Sequence, residues 1–173
     1  IIEGAYSHAG QVCISVQRVF VQRNVYDSFF DDVFHRSLAL KHGDPDDSTT
    51  DIGPLISHEK TMEVLDKVAV AVAQGAALLC GGMVSENLLP PMILLRTTPD
   101  MAVNSEEAFA PLLTITPYDT FEEAVDMVNN SRFGLQAGVF TKDISRALYA
   151  ASHICCGAVI IGLRRLYSWR SFC

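Results

Sequence analysis

Apolar side chains recur along this chain in short blocks that switch between two spacings. Residues 16–21 (VQRVFV) mix β-branched and aromatic residues with Gln and Arg, a pattern that suits a strand. Asn24 then offers an N-cap to a helix predicted over 25–40, whose three- and four-residue steps align Phe29, Val33 and Leu40 on one face. A turn-rich acidic connection at 43–53 (GDPDDSTTDIG) leads to a second helix. That helix is predicted to run from the Ser57 N-cap to about Gln74, to turn Met62, Leu65, Val68 and Val72 inward, and to end on the Gly75 C-cap. Short apolar runs follow at 77–80, 91–95, 112–118, 137–140 and 158–161, interleaved with helices predicted over 121–129 and 144–154. The runs are continuous rather than alternating, so both of their faces are expected to be covered. Strand and helix in repeated alternation predict an α/β fold of three layers, a mainly parallel sheet flanked by helices.

Composition narrows the picture further. A chain of 173 residues matches the usual size of a domain, and one compact unit is expected. With 49% hydrophobic and 19% charged residues it has the side chains for a real core and none of the signature of disorder. Thirteen basic against twenty acidic residues leave a net charge of -7, which repels phosphate backbones, so no nucleic-acid partner is expected. No apolar run approaches the roughly 20 residues that cross a bilayer, and the N-terminus lacks a basic-then-apolar leader pattern; no membrane partner is expected. Five cysteines, an odd number at irregular spacings, argue against a disulfide framework and for a reducing, cytoplasmic setting. The chain opens on Ile1 rather than Met, as a processed chain or a piece of a longer one would.

General catalytic motifs are mostly missing. The sequence has no G-x-G-x-x-G, no Walker loop and no G-x-S-x-G elbow, and His58-Glu59 lacks the second histidine of a zincin helix. The acidic run 44–51 carries an early Pro45 and neither a mid-loop glycine nor a closing glutamate, so it reads as a solvated loop rather than a calcium site. Vicinal Cys155-Cys156 has no second cysteine pair, and core packing is expected there, as for Cys80 beside Gly81-Gly82. Asn129-Asn130-Ser131 reads as a helix-ending turn rather than a glycosylation site. Cys13 has a different setting, in the small-residue stretch SHAGQVC between a short helical pattern and the first strand, a junction that can aim a side chain. On spacing alone a lone cysteine is more often a buried small hydrophobe than a nucleophile, and His8 does not by itself make a Cys-His dyad.

Gly10-Gln11-Val12-Cys13 resembles the G-Q-x-C segment around the nucleophile of the aldehyde dehydrogenase superfamily. The likeness continues through Gln17-Arg18-Val19-Phe20-Val21, Tyr26-Asp27, Gly43-Asp44-Pro45, Gly53-Pro54-Leu55-Ile56, Gly75-Ala76, Gly81-Gly82 and Asp100-Met101, in that family's order. Residues 106–111 (EEAFAP) resemble its E-x-F-G-P element, and 133–141 (FGLQAGVFT) its aromatic-G-L-x-A-G-V-F segment. The resemblance spans residues 1–161 and implies a partial catalytic domain of that family.

It also implies the chemistry, NAD- or NADP-dependent oxidation of a small-molecule aldehyde to a carboxylic acid, with no metal. Cys13 matches the nucleophile, whose thiolate attacks the aldehyde carbon; a hydride then passes to the nicotinamide, and water hydrolyses the thioester left behind. The Cys13 backbone N–H would be one oxyanion donor. Glu107 matches the glutamate that hydrogen-bonds the nicotinamide ribose and Phe109 the aromatic near the nicotinamide; apart from the resemblance they read as a capping acid and a core aromatic. Ala110 stands where the family has glycine, which a negative φ accommodates and a positive one strains. The family's general-base glutamate, oxyanion asparagine, phosphate-facing lysine and most of its cofactor domain precede the nucleophile, so this chain alone is expected to be inactive and not to bind cofactor. Past residue 161 the pattern is lost: Gly162 stands where asparagine is expected, and 162–173 (GLRRLYSWRSFC) holds the sole tryptophan and no acid. A frame change or truncation is expected there. Members of the family are homo-oligomers, so self-association is expected too. The alternative is a non-catalytic remnant or interaction module, marked by dimerisation with an unreactive Cys13.

Overall fold

The structure, a computed structural model, describes residues 1–79 and 84–162. Cys80, Gly81-Gly82 and all of the basic tail beyond Gly162 lie outside the described residues. The contacts divide the chain into two compact units, Ile1–Asp119 and a second that begins at Thr120, where length had suggested one. The physical reason is that each closes a sheet and a core of its own.

In the first unit α1 (Ile2–Tyr6) and a 3-10 turn (Ser7–Gly10) precede β1 (Arg18–Gln22), α2 (Tyr26–Leu38), α3 (His58–Ala73), β2 (Ala77–Leu79), β3 (Met92–Leu95), α4 (Ala102–Ser105) and β4 (Leu112–Tyr118). The strand order is β1-β4-β3-β2; β4 runs parallel to both neighbours, pairing Arg18 with Thr114 and Ile93 with Leu113, and β2 is an antiparallel edge. The mainly parallel sheet expected from the continuous apolar runs is therefore present. Its centre is β4, whose first four residues are all buried. Ile93, Leu94, Leu113 and Ile115 form the middle of the core with Val33, Val64 and Val68 of the helices, and burying each such side chain contributes roughly 1.5–3 kcal/mol.

Local chemistry explains where the helices start, and a local 3-10 turn and tertiary packing each shift one expected detail. Asn24 gives no cap. It falls inside a 3-10 turn (Arg23–Val25) in which the Tyr26 N–H already donates to the Arg23 carbonyl, so the donor that an asparagine cap would satisfy is taken. Val25 holds the N-cap position without a side-chain bond. The predicted α2 face nonetheless holds, with Val33 buried and Phe29 and Leu40 packed against the core. Ser57 does cap α3, its Oγ accepting from the Lys60 N–H at 3.1 Å, and Gly75 takes φ 107° just past the end. The buried face of α3 is Thr61, Val64, Val68 and Ala71, whereas Met62 and Val72 are 44% and 43% exposed. The run VAVAVA offers apolar side chains all round, and Thr61 can be buried because its Oγ1 donates to the Ser57 carbonyl at 3.2 Å.

The second unit comprises α5 (Phe121–Asn129), β5 (Gln136–Phe140), α6 (Ile144–His153) and β6 (Ala158–Gly162), with β5 and β6 paired in parallel across α6. A Thr120–Glu123 capping box starts α5, and the Asp143 carboxylate accepts from Ser145 and Arg146 N–H to start α6. Val125, Ala150 and Ile154 form its core. Asn129 ties the two helix ends together: its Oδ1 accepts from the Cys155 N–H and its Nδ2 donates to the His153 carbonyl, each at 2.8 Å. Cys156 packs against the core as expected, but Cys155 does not; held at the turn by Asn129, it is exposed. In the acidic run, Asp44 and Asp47 accept from the backbone N–H groups of Asp46 and Thr49 and so shape a turn. Among the described residues no three His, Cys, Asp or Glu side chains form a metal-binding group, and no helix is long and apolar enough to cross a membrane.

Candidate active site

The segment before β1 is built from strained and small residues. His8, Ala9 and Gly10 take φ of 51°, 57° and 71°, three left-handed residues in succession that reverse the chain after α1. A turn follows in which the Ser15 N–H donates to the Val12 carbonyl at 2.9 Å, putting Cys13 at its tip with the side chain exposed. Ser15 Oγ donates to the Ala5 carbonyl at 3.2 Å and the Val16 N–H to the Gly4 carbonyl at 2.8 Å, so the turn is anchored on α1. Among the described residues the Cys13 backbone N–H has no hydrogen-bond partner.

The second segment of the site is the loop between α4 and β4. Phe109 takes φ 47°, while Ala110 has no positive φ, which meets the condition under which alanine replaces glycine there without strain. Cys13, Glu107 and Phe109 line one small pocket, with Gly10, Gln17 and Ala110 between them. Glu107 is exposed and Phe109 half-buried. The three residues singled out from the sequence are thus brought together, and His8 does not line the pocket. An exposed thiol, a carboxylate able to accept hydrogen bonds and a flat apolar ring suit the reactive end of a nicotinamide nucleotide; they supply no phosphate cradle.

Two glutamines near Cys13, unremarked in the sequence as single residues, hold these loops. Gln11 Nε2 donates to the Pro54 carbonyl at 3.3 Å and its Oε1 accepts from the Ile56 N–H at 2.9 Å. Asn87 Nδ2 donates to the Leu55 carbonyl at 2.8 Å from the other side. Gln17 binds α4 and the α4–β4 loop in the same manner. The signal available in the sequence was a long amide in an otherwise small or apolar stretch, but nothing there names its distant partner. Beyond the pocket, Lys67 of α3 reaches Glu106 at 2.9 Å and Glu63 at 2.7 Å.

A family model described as the aldehyde dehydrogenase family matches residues 1–169. The chain is 39% identical over 161 residues to a 3-sulfolactaldehyde dehydrogenase of Priestia aryabhattai, covering 93% of this chain and 34% of that protein. It superposes with TM-score 0.90 and 36% identity on aldehyde dehydrogenase 21 of Physcomitrella patens, solved with the reaction product succinate, over 92% of this chain and 33% of the other. Against a glyceraldehyde-3-phosphate dehydrogenase of Methanocaldococcus jannaschii complexed with NADP the TM-score is 0.89 at 36% identity, over 95% and 36% of the two chains. The chain spans about a third of the length of the curated relatives it matches.

Proposed function

Since the chain belongs to the aldehyde dehydrogenase family, we propose that Cys13 is the nucleophile of an aldehyde oxidation, with Glu107 and Phe109 as contacts to NAD or NADP. The observation that carries the reading is the pocket: an exposed cysteine at the tip of a turn faces the same small space as Glu107 and Phe109, residues remote from it in sequence.

The Cys13 thiolate attacks the aldehyde carbon, and the carbonyl oxygen becomes anionic as the C–S bond forms. The Cys13 N–H, which no other group of the described residues engages, donates to that oxygen. NAD or NADP, when bound, supplies the hydride acceptor. With that acceptor in place, transfer of hydride to it from the thiohemiacetal carbon would leave a thioester on Cys13, which water would hydrolyse to the carboxylic acid, returning the thiol. Glu107 would accept hydrogen bonds from the ribose hydroxyls, and the Phe109 ring would pack beside the nicotinamide. Thiolate chemistry suits a reducing compartment, and a cytoplasmic enzyme that self-associates is the fuller proposal. Without a glycine-rich cofactor cradle in their sequence, the 173 residues on their own are not expected to sustain turnover.

An activated ester tests the nucleophile without any cofactor. Purified chain mixed with p-nitrophenyl acetate should release about one equivalent of p-nitrophenolate as Cys13 is acetylated. Cys13→Ser should remove both the burst and the adduct. Acetylation of Cys155 or Cys156 in place of Cys13 would overturn the assignment, and sustained aldehyde-dependent NADH formation by the 173 residues would overturn the expectation of inactivity.

A further inference from the structure

Gln17, the residue that enters β1, takes no part in the chemistry above, yet its carboxamide is committed to α4 and the loop that follows it. Nε2 donates to the Val103 carbonyl at 2.9 Å and to the Glu106 carbonyl at 2.7 Å, and Oε1 accepts from the Ala108 N–H at 3.0 Å. The last two bonds grip the residues on either side of Glu107. The main chain of Gln17 is itself pinned, since its carbonyl accepts from the Thr114 N–H at 2.8 Å and from Thr114 Oγ1 at 3.3 Å in β4. One end of the carboxamide meets two carbonyls and the other an N–H, so the reversed orientation would set acceptor against acceptor and donor against donor. The side chain of Glu106 turns to Lys67, while Glu107 lines the pocket. Phe109 holds a left-handed φ of 47°, which a non-glycine residue keeps only where its surroundings over-determine it.

We infer that Gln17 is a positioning residue that sets residues 107–109 against the Cys13 turn through this three-bond clamp. The inference rests on the reading above for what Glu107 and Phe109 touch, but the clamp can be tested without it. In the isotope-labelled chain, Gln17→Leu should move the Ala108 amide proton resonance upfield. The exchange of that amide should quicken by roughly tenfold relative to the Thr114 amide, which bonds only the main chain of Gln17. The rate of Cys13 alkylation by iodoacetamide, read against Cys155, should change severalfold in the same variant. Gln17→Glu keeps an acceptor for Ala108 and, when ionised, lacks donors for Val103 and Glu106. While ionised it should therefore displace the Ala108 resonance and shift Cys13 alkylation from wild type, and both departures should shrink as falling pH protonates the new carboxyl and restores a donor.

An unchanged Ala108 resonance and exchange rate in Gln17→Leu would overturn the clamp. Should Gln17→Leu fail to fold, Gln17→Glu decides: an Ala108 resonance and an alkylation rate that match wild type while the carboxyl is ionised overturn it, and departures that shrink together as the carboxyl is protonated support it. If Ala108 responds as stated but p-nitrophenyl acetate leaves Cys13 unmodified in the wild type, the clamp stands and the chemical reading falls.

Discussion

Gly10 carries two constraints at once. Its φ of 71° lies in the left-handed region, and a Cβ built there would collide with the Ala110 carbonyl oxygen and lie 2.5 Å from its carbon and 3.1 Å from the Pro111 nitrogen. The backbone before Cys13 therefore rests directly on the backbone after Phe109, with no side chain between them. Gly10→Ala should cost more than the roughly 1–2 kcal/mol of a left-handed alanine, because the collision is with main chain that cannot rotate away. Urea unfolding of wild type and variant, followed by Cys13 alkylation, checks this; a midpoint within error of wild type would refute the close approach. The same geometry explains why Ala110 is tolerated, since the left-handed residue in that loop is Phe109.

At the scale of elements, α3 is joined to the site loop by charge. Glu63 lies 3.0 Å from Lys60 and 2.7 Å from Lys67, and Lys67 also reaches Glu106. Hydrogen bonds from Lys67 and then Lys60 hold the Glu63 carboxyl below its ordinary range. A carboxylate with a lowered folded-state pKa contributes stability that is present above its unfolded value, roughly 4.3, and is lost as pH falls through the folded one. Glu63 is about half exposed, so solvent screening keeps each pair to a few tenths of a kcal/mol. Glu63→Gln should thus melt slightly below wild type at pH 7, with the gap narrowing as falling pH protonates Glu63 and closing at pH 7 in molar salt. A melting difference that depends on neither pH nor salt would show that packing, not charge, is what the glutamate supplies. The Ser57 cap of α3 was legible in the sequence because a cap is a local bond between a side chain and a backbone two or three residues on, whereas the Thr120 and Asp143 caps of α5 and α6 came only with the structure. The inward face of α3 was not, because its apolar residues occupy more than one side and only the sheet selects among them.

For the whole molecule, the two units carry unequal cores. The first buries a long series of large side chains around β4, while the second rests on Val125, Ala150 and Ile154 with partly buried neighbours. Amide exchange by mass spectrometry should show β4 protected to the level of global unfolding and β5 and β6 opening at lower free energy; equal protection would mean the chain unfolds as one. By itself the sequence determined the alternation of strands and helices, the burial of β4, the Ser57 cap of α3 and the segment around Cys13, since each is written in residues close together along the chain. Tertiary structure alone decided that length would divide at Asp119 and that Cys155 would stay exposed. It also decided that Gln11 and Gln17 would each bind a distant loop and that Cys13 would share a pocket with Glu107 and Phe109. Hydrophobic periodicity reports which side of an element is covered, but a carboxamide reads the same in sequence whether it meets water or a carbonyl ninety residues away; only the folded chain supplies the partner.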